Sequence, residues 1–294
     1  MGVPGIFAHM IKKCKNKRIF NNNIIFKYNS SLIIDELFFD ANGIIHPKAQ
    51  EIAKEYNHLI GTNHTLLESK MINNIIKYID DIIEFIKPKK VVYIAIDGVA
   101  PMGKIKHQRL RRFKSIRDQQ IISSIAKKHN KEINKHWNSN CITPGTIFMK
   151  KLFVAINNFI KKRKTNGCPL TYYFSSCNSP GEGEHKIYDY IHNHKNKSNT
   201  IFCIHGLDAD LIFLSLATTN VNIYLLREDI LESGVPEKNQ FNIVSITEYK
   251  GAIVSDIADM NDIDTNRLIK DYIFLCFLLG NDFIPNIPST NLKN

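Results

Sequence analysis

The chain has 294 residues, 44% of them hydrophobic, and its 39 Lys and Arg against 28 Asp and Glu give a net charge of +11. That much apolar material excludes wholesale disorder and allows one large domain or two smaller ones. The positive excess points towards a polyanionic partner, although a bias to Lys, Asn and Ile throughout the chain raises the charge by itself.

Six cysteines, Cys14, Cys141, Cys168, Cys177, Cys203 and Cys276, form no C-x-x-C pair and read as free thiols of a reducing compartment. The N-terminus lacks the layout of a secretory signal, and the longest apolar run, 272–279, is too short to cross a bilayer. An intracellular protein without a membrane anchor is expected.

In chain order, 1–13 reads as a turn into a short helix. Residues 32–39 form a strand ending on Asp40, followed by a turn and a new start around His46-Pro47. Ile72, Ile75, Ile76, Ile79, Ile83 and Ile86 fall at helical spacing, so 66–87 is an amphipathic helix stopped by Pro88. The β-branched run 91–96 is a buried strand ending on Asp97 and broken by Gly98. Residues 103–136 are a long, highly charged helix, too polar to be packed on all sides. Pro144 suits the first turn of a helix over 145–163, and 170–175 is the next strand. Ser179-Pro-Gly opens a turn into a helix over 185–192. The strand 201–205 ends at Gly206, and a turn carrying Asp208 and Asp210 leads into a helix over 211–217. A strand over 221–226, a loop over 228–242 and a helix over 267–279 complete the chain. No internal repeat is visible. Alternating strands and helices make the fold class α/β with a central, mostly parallel sheet.

One pattern recurs: acids stand at element ends. Asp40, Asp97 and Asp208 follow strands, Asp210 opens a helix, and Glu182 and Glu184 sit at a helix mouth. Asp282 follows a helix C-terminus. Carboxylates converging at one sheet edge repel unless cations lie between them, and oxygen ligands suit Mg²⁺ or Mn²⁺. Two ions there could activate a water and stabilise the leaving oxygen of a phosphodiester. The same acids also fit a plainer reading, in which they only cap and start helices. On the charged helix, Lys104, Gln108 and Arg111 share one face, with Arg112 at its edge. A bound phosphate would offset their mutual repulsion; a solvated charged face is the alternative.

The stretches MGVPGIF, FFDANGIIH, AIDGVAPMGKIKHQRLRRF, NCITPGT, PGEGEHKIYDYI, GLDADLIFL, LLRED and GNDFIP, in that order, span nearly the whole chain. They resemble the N-terminal conserved region of the XRN family of 5′→3′ exoribonucleases, within the flap-endonuclease/PIN-like superfamily. His107 stands where that family usually has Gln, and Met102-Gly103 where it has Arg-Ala. The resemblance implies a PIN-like sheet flanked by helices, with a long projecting basic helix. It implies that Asp40, Asp97, Glu182, Glu184, Asp208, Asp210 and Asp282 hold two Mg²⁺ or Mn²⁺ ions. It likewise implies that Lys104, Gln108, Arg111 and Arg112 bind a 5′-monophosphate, and that His46 contacts the terminal nucleotide. Residues 1–294 would be a single nuclease domain of this type, with the family's second conserved region absent or truncated.

The expected activity is two-metal 5′→3′ hydrolysis of single-stranded RNA bearing a 5′-monophosphate, in RNA decay, within the cytoplasm rather than the nucleus. A flap endonuclease acting on DNA and a non-catalytic RNA-binding scaffold are the alternatives.

Overall fold

The structure is a computed structural model describing residues 6–7, 9–10, 24–131, 136–228, 241–257, 264–281 and 283–288. Its elements are β1 (Ile25–Lys27), β2 (Glu36–Asp40), α1 (Asn42–Glu55), α2 (His64–Ile86), β3 (Val91–Ala95), α3 (Met102–Lys128), α4 (Ile147–Thr165), β4 (Thr171–Ser175), α5 (Gly183–His192), β5 (Ile201–His205), α6 (Asp210–Ala217), β6 (Asn222–Glu228), β7 (Phe241–Ser245), α7 (Ile246–Ile257) and α8 (Thr265–Phe277). The strands form one sheet in the order β1-β7-β6-β5-β2-β3-β4. β6, β5, β2, β3 and β4 run parallel, and β7 pairs antiparallel with both β6 and β1. This is the α/β class expected, with helices on both faces.

Strand alternation divides the core. Leu37, Phe39, Val92 and Ile94 pack under α1, α2 and α4, whereas Phe38, Phe202 and Ile204 pack under α5 to α8. Successive βα units add outward from β2 through β3 to β4. The chain then returns to place β5 on the other flank of β2. The crevice at the carboxyl ends of β2 and β5 is therefore a topological switch point, where such sheets bind ligands.

Several boundaries differ from the sequence reading. β2 opens at Glu36 rather than 32, because Asp35 already closes the strand mouth: its carboxylate accepts the Ile201 N–H at 2.9 Å and pairs with Lys90 at 2.9 Å. The turn expected after Asp40 is the single residue Ala41. Ala41 is itself helical (φ −71°, ψ −19°), and α1 runs on through Pro47 in its second turn. α4 starts at Ile147, not 145; Gly145 is left-handed (φ 89°), and Thr146 caps the helix by accepting the Met149 N–H at 3.4 Å. β7 begins inside the expected 228–242 loop, and β1 and α7 were not foreseen. Cys14 lies outside the described residues; the other five cysteines are free. Along α3 only Lys104 is buried, so the helix projects as its composition implied. No helix among the described residues is long and apolar enough to cross a membrane.

Candidate active site

Three strands deliver acids to the switch point. β2 ends on Asp40, β3 stops two residues before Asp97, and β5 leads through Gly206 and Leu207 to Asp208. Glu182 occupies the N-cap of α5 with Glu184 in its first turn, and Asp210 opens α6. A helix N-terminus carries partial positive charge and tolerates anions there. Asp40, Glu184 and Asp208 each place a carboxylate oxygen within 4.8 Å of the others', and ligand atoms of Glu182, Glu184 and His185 meet the same limit. Asp97 is tied in by its neighbours: Oδ1 accepts the Gly183 N–H at 2.6 Å, and Oδ2 accepts from Asn42 Nδ2 at 2.7 Å. Asp282 lies outside the described residues.

The cluster's charges are visibly in conflict. Burial, then the carboxylates of Asp97, Glu184, Asp208 and Glu182, push the Asp40 carboxyl well above the ordinary range. Burial raises Asp97 also, only partly offset by the Gly183 N–H. Burial, Asp210 and Glu182 push Glu184 up to about 8. Glu182 goes the other way. Burial works against its charge, but His185 and the Lys104 ammonium, 2.7 Å from Oε1, outweigh it and hold the carboxyl low. His185 is raised, chiefly by its hydrogen bond to Glu182.

Glu184 Oε2 is buried with no hydrogen-bond partner, and the buried Glu182 Oε2 has only the His185 ring, with Nδ1 3.5 Å away. An orphaned carboxylate oxygen facing like charges fits a divalent cation, and a set of carboxylates with one imidazole suits Mg²⁺ or Mn²⁺. The cluster therefore has the chemistry of a divalent-metal site.

A pH dependence follows. Glu184 binds its proton at about 8 when folded against 4.5 ordinarily, so its contribution to stability is complete below about 4.5 and lost as pH rises through about 8. Asp40, Asp97 and His185 are raised and act in the same sense; Glu182, lowered, opposes them. Thermal melts in chelator should show metal-free stability falling from about pH 5 to pH 8, by on the order of a few kcal/mol. Glu184→Gln should flatten that fall. A flat wild-type profile would contradict the crowding of charge.

Beside the acids lies a cavity of about 200 Å³ whose lining includes Asp97, His46, Gln108, Arg111 and Arg112. α1 supplies His46, and α3 supplies the rest of the basic side. The segment from Ser139 to Pro144 walls the far side, so the stretch NCITPGT is part of the site. Burial and the Arg111 guanidinium hold His46 below its ordinary 6.5, leaving a neutral ring. Lys104 is not among the lining residues. One turn before Gln108, it points to the acids instead, paired with Glu182 and lying 5.5 Å from the centroid of the Phe283 ring.

Three further residues hold the site without having been singled out in the sequence. Asn42 grips Asp97 at both ends, donating to its carboxylate and accepting its backbone N–H at 3.2 Å. Its position two residues after Asp40 was the available signal. Gly183 packs where a Cβ would sit 2.8 Å from Asp40 Oδ1 and 3.3 Å from the Ala95 carbonyl. Lys186 is buried on the inner face of α5, where a lysine is out of place by pattern. Its ammonium donates to the carbonyls of Ile96 (2.7 Å), Ser179 (2.9 Å) and Ser176 (3.0 Å), tying the ends of β3 and β4 to the turn before Glu182.

The family model described as XRN 5′-3′ exonuclease N-terminus matches residues 1–229, and the Xrn1 helical domain matches 262–294. The chain is 32% identical over 357 residues to 5′-3′ exoribonuclease 2 of Yarrowia lipolytica, covering 100% of this chain and 34% of that protein. It is 34% identical to 5′-3′ exoribonuclease 1 of Homo sapiens, covering 88% of this chain and 16% of the relative. For 5′-3′ exoribonuclease 1 of Saccharomyces cerevisiae the identity is 36%, with 88% and 18% covered. The chain thus spans about a third or less of the length of these relatives. Among solved structures, the catalytic core of Rad2 in complex with a DNA substrate matches over 99% of this chain and 65% of that one, at 14% identity and a TM-score of 0.48.

Proposed function

Because the chain belongs to the XRN 5′-3′ exonuclease family, we propose that it hydrolyses single-stranded RNA from a 5′-monophosphate end, releasing nucleoside 5′-monophosphates. The observation that carries this reading is the adjacency of two sites of opposite charge. The basic cavity and the acid cluster share Asp97, so a phosphate seated among Gln108, Arg111 and Arg112 lies one short step from the carboxylates.

When bound, two Mg²⁺ or Mn²⁺ ions would supply an activated water and neutralise charge on the leaving oxygen. Asp40, Glu184 and Asp208 would hold one side of that site, and Glu182 with Asp97 the other; Asp210, and Asp282 by the resemblance, would complete the set. Arg111 and Arg112 would take the terminal phosphate through charge-assisted hydrogen bonds. Neutral His46, on the cavity wall, would offer its ring to the first nucleotide. Lys104 would act beside the acids, restraining Glu182 in its ionised form. Fixing the 5′ phosphate at one distance from the acids would set the cut one nucleotide along.

Arg111→Ala tests this. A charge-assisted contact is worth about 1.5–3 kcal/mol, about ten- to hundredfold in kcat/KM. The loss should fall on 5′-monophosphate RNA and spare 5′-hydroxyl RNA, which never used the contact. Equal slowing on both would make Arg111 a general backbone contact. Matched DNA in the same assay decides the sugar: cleavage of DNA as fast as RNA would favour the flap-endonuclease alternative.

A further inference from the structure

Two residues from stretches of the resemblance that have no part in the site as described, Phe7 and Arg227, meet beside it. Arg227, near the end of β6, lies beside the carboxyl end of β5, where the chain runs through Gly206 and Leu207 to Asp208. Its side chain turns under that loop. Nη2 donates to the Leu207 carbonyl, and Nη1 reaches the Asp208 carbonyl at 3.5 Å. The guanidinium carbon stands 4.0 Å from the centroid of the Phe7 ring. Arg227 is buried, 7% exposed; burial pulls its guanidinium down to about 10, with Asp208 pulling the other way, so it is charged at neutral pH. Burying a guanidinium is costly unless its donors and its charge are matched. Here the donors go to backbone carbonyls of the turn, and the flat face goes to an aromatic ring.

The turn needs such a hold. Asp208 is exposed, and Asp40 and Glu184 face it with like charge. Repulsion alone would swing the 207–208 backbone towards solvent. We infer that Arg227, braced by Phe7, is a positioning residue that fixes this turn and aims the Asp208 carboxylate at the metal position it shares with Asp40 and Glu184.

The inference rests on the metal reading above, and charge and geometry pull its test in opposite directions. As a mere positive charge, Arg227 would repel a divalent cation, and removing it would tighten metal binding. As a clamp, it preorganises a ligand, and removing it would weaken binding. Arg227→Lys keeps the charge and loses the two-pronged fork.

The experiment is Mn²⁺ titration by calorimetry of the metal-free 294-residue chain, on variants that melt cooperatively. Arg227→Met should weaken Mn²⁺ binding about 10- to 100-fold, the range for residues that orient metal ligands. Arg227→Lys should weaken it about tenfold. Phe7→Leu should cost a few-fold alone and nothing further in the Arg227→Met background, since Phe7 acts through the guanidinium. Unchanged or tighter binding in folded Arg227→Lys overturns the inference. If Arg227→Met does not fold, Arg227→Lys and Phe7→Leu decide the matter by themselves. Wild-type protein that binds no Mn²⁺ would defeat the metal reading and this inference together. Wild-type binding matched by Arg227→Lys defeats the inference alone.

Discussion

Asp40→Asn is expected to stop hydrolysis while making the metal-free protein more stable. Asp40 is buried at the end of β2, and four other carboxylates raise its own. Asparagine keeps the shape and removes the charge. The cluster then carries one repulsive charge fewer, and position 40 no longer presents a buried ionisable group. Catalysis moves the other way. A divalent ion is worth several kcal/mol of transition-state stabilisation, and losing about 4 kcal/mol is about a thousandfold in rate. The measurement is paired: turnover of 5′-monophosphate RNA in Mg²⁺, and a melt in chelator. A rise in melting temperature with lost activity supports the assignment. Retained activity would remove Asp40 from the metal ligands. A fall in melting temperature would mean that its carboxylate stabilises the fold, contrary to the crowding described.

Gly183→Ala should be the second most damaging change, although it adds only a single methyl group and removes no functional atom. That methyl would come within 2.8 Å of Asp40 Oδ1 and 3.3 Å of Asp97 Oδ1. The Gly183 N–H is also the 2.6 Å donor to Asp97, so the backbone cannot retreat without losing that bond. The acids must shift instead, and a displacement of order 1 Å can cost about a hundredfold in rate. The loss should appear in kcat, with the preference between 5′-monophosphate and 5′-hydroxyl RNA intact, because the cavity's phosphate-binding side chains, Gln108, Arg111 and Arg112, are not among the atoms that the methyl meets. Wild-type kcat in Gly183→Ala would show that the packing at the mouth of α5 is loose. Loss of the end preference instead would place the damage in the cavity.

Local signals carried the fold far. The apolar runs 91–96 and 201–205 were short, β-branched or continuous, and closed by glycine, so β3 and β5 were found within a residue. The isoleucine spacing gave α2 almost whole. The acids were legible for the same reason: a charged residue that ends a buried strand must lie at the sheet edge. β1 and β7 were missed because an antiparallel edge pair depends on partners distant in sequence. Ile25–Lys27 is only three residues long, and in Phe241–Ser245 the apolar run is interrupted by Asn242.

What the sequence by itself determined is which acids end which elements, and that α3 is too polar to pack on all sides. Both follow from hydrophobic patterning, which is local. What the tertiary structure decided is how those ends meet. Strand order puts β5 against β2, so Asp208 meets Asp40 across a chain separation that no periodicity encodes. Lys104 and Gln108 share a helical face in sequence, yet only Gln108 lines the basic cavity, because the Glu182 carboxylate lies within 2.7 Å of the lysine ammonium. Lys186 likewise serves three carbonyls instead of the solvent. A long cationic side chain has several partners within reach, and its choice is fixed by which acid or carbonyl the packed fold has already stripped of water.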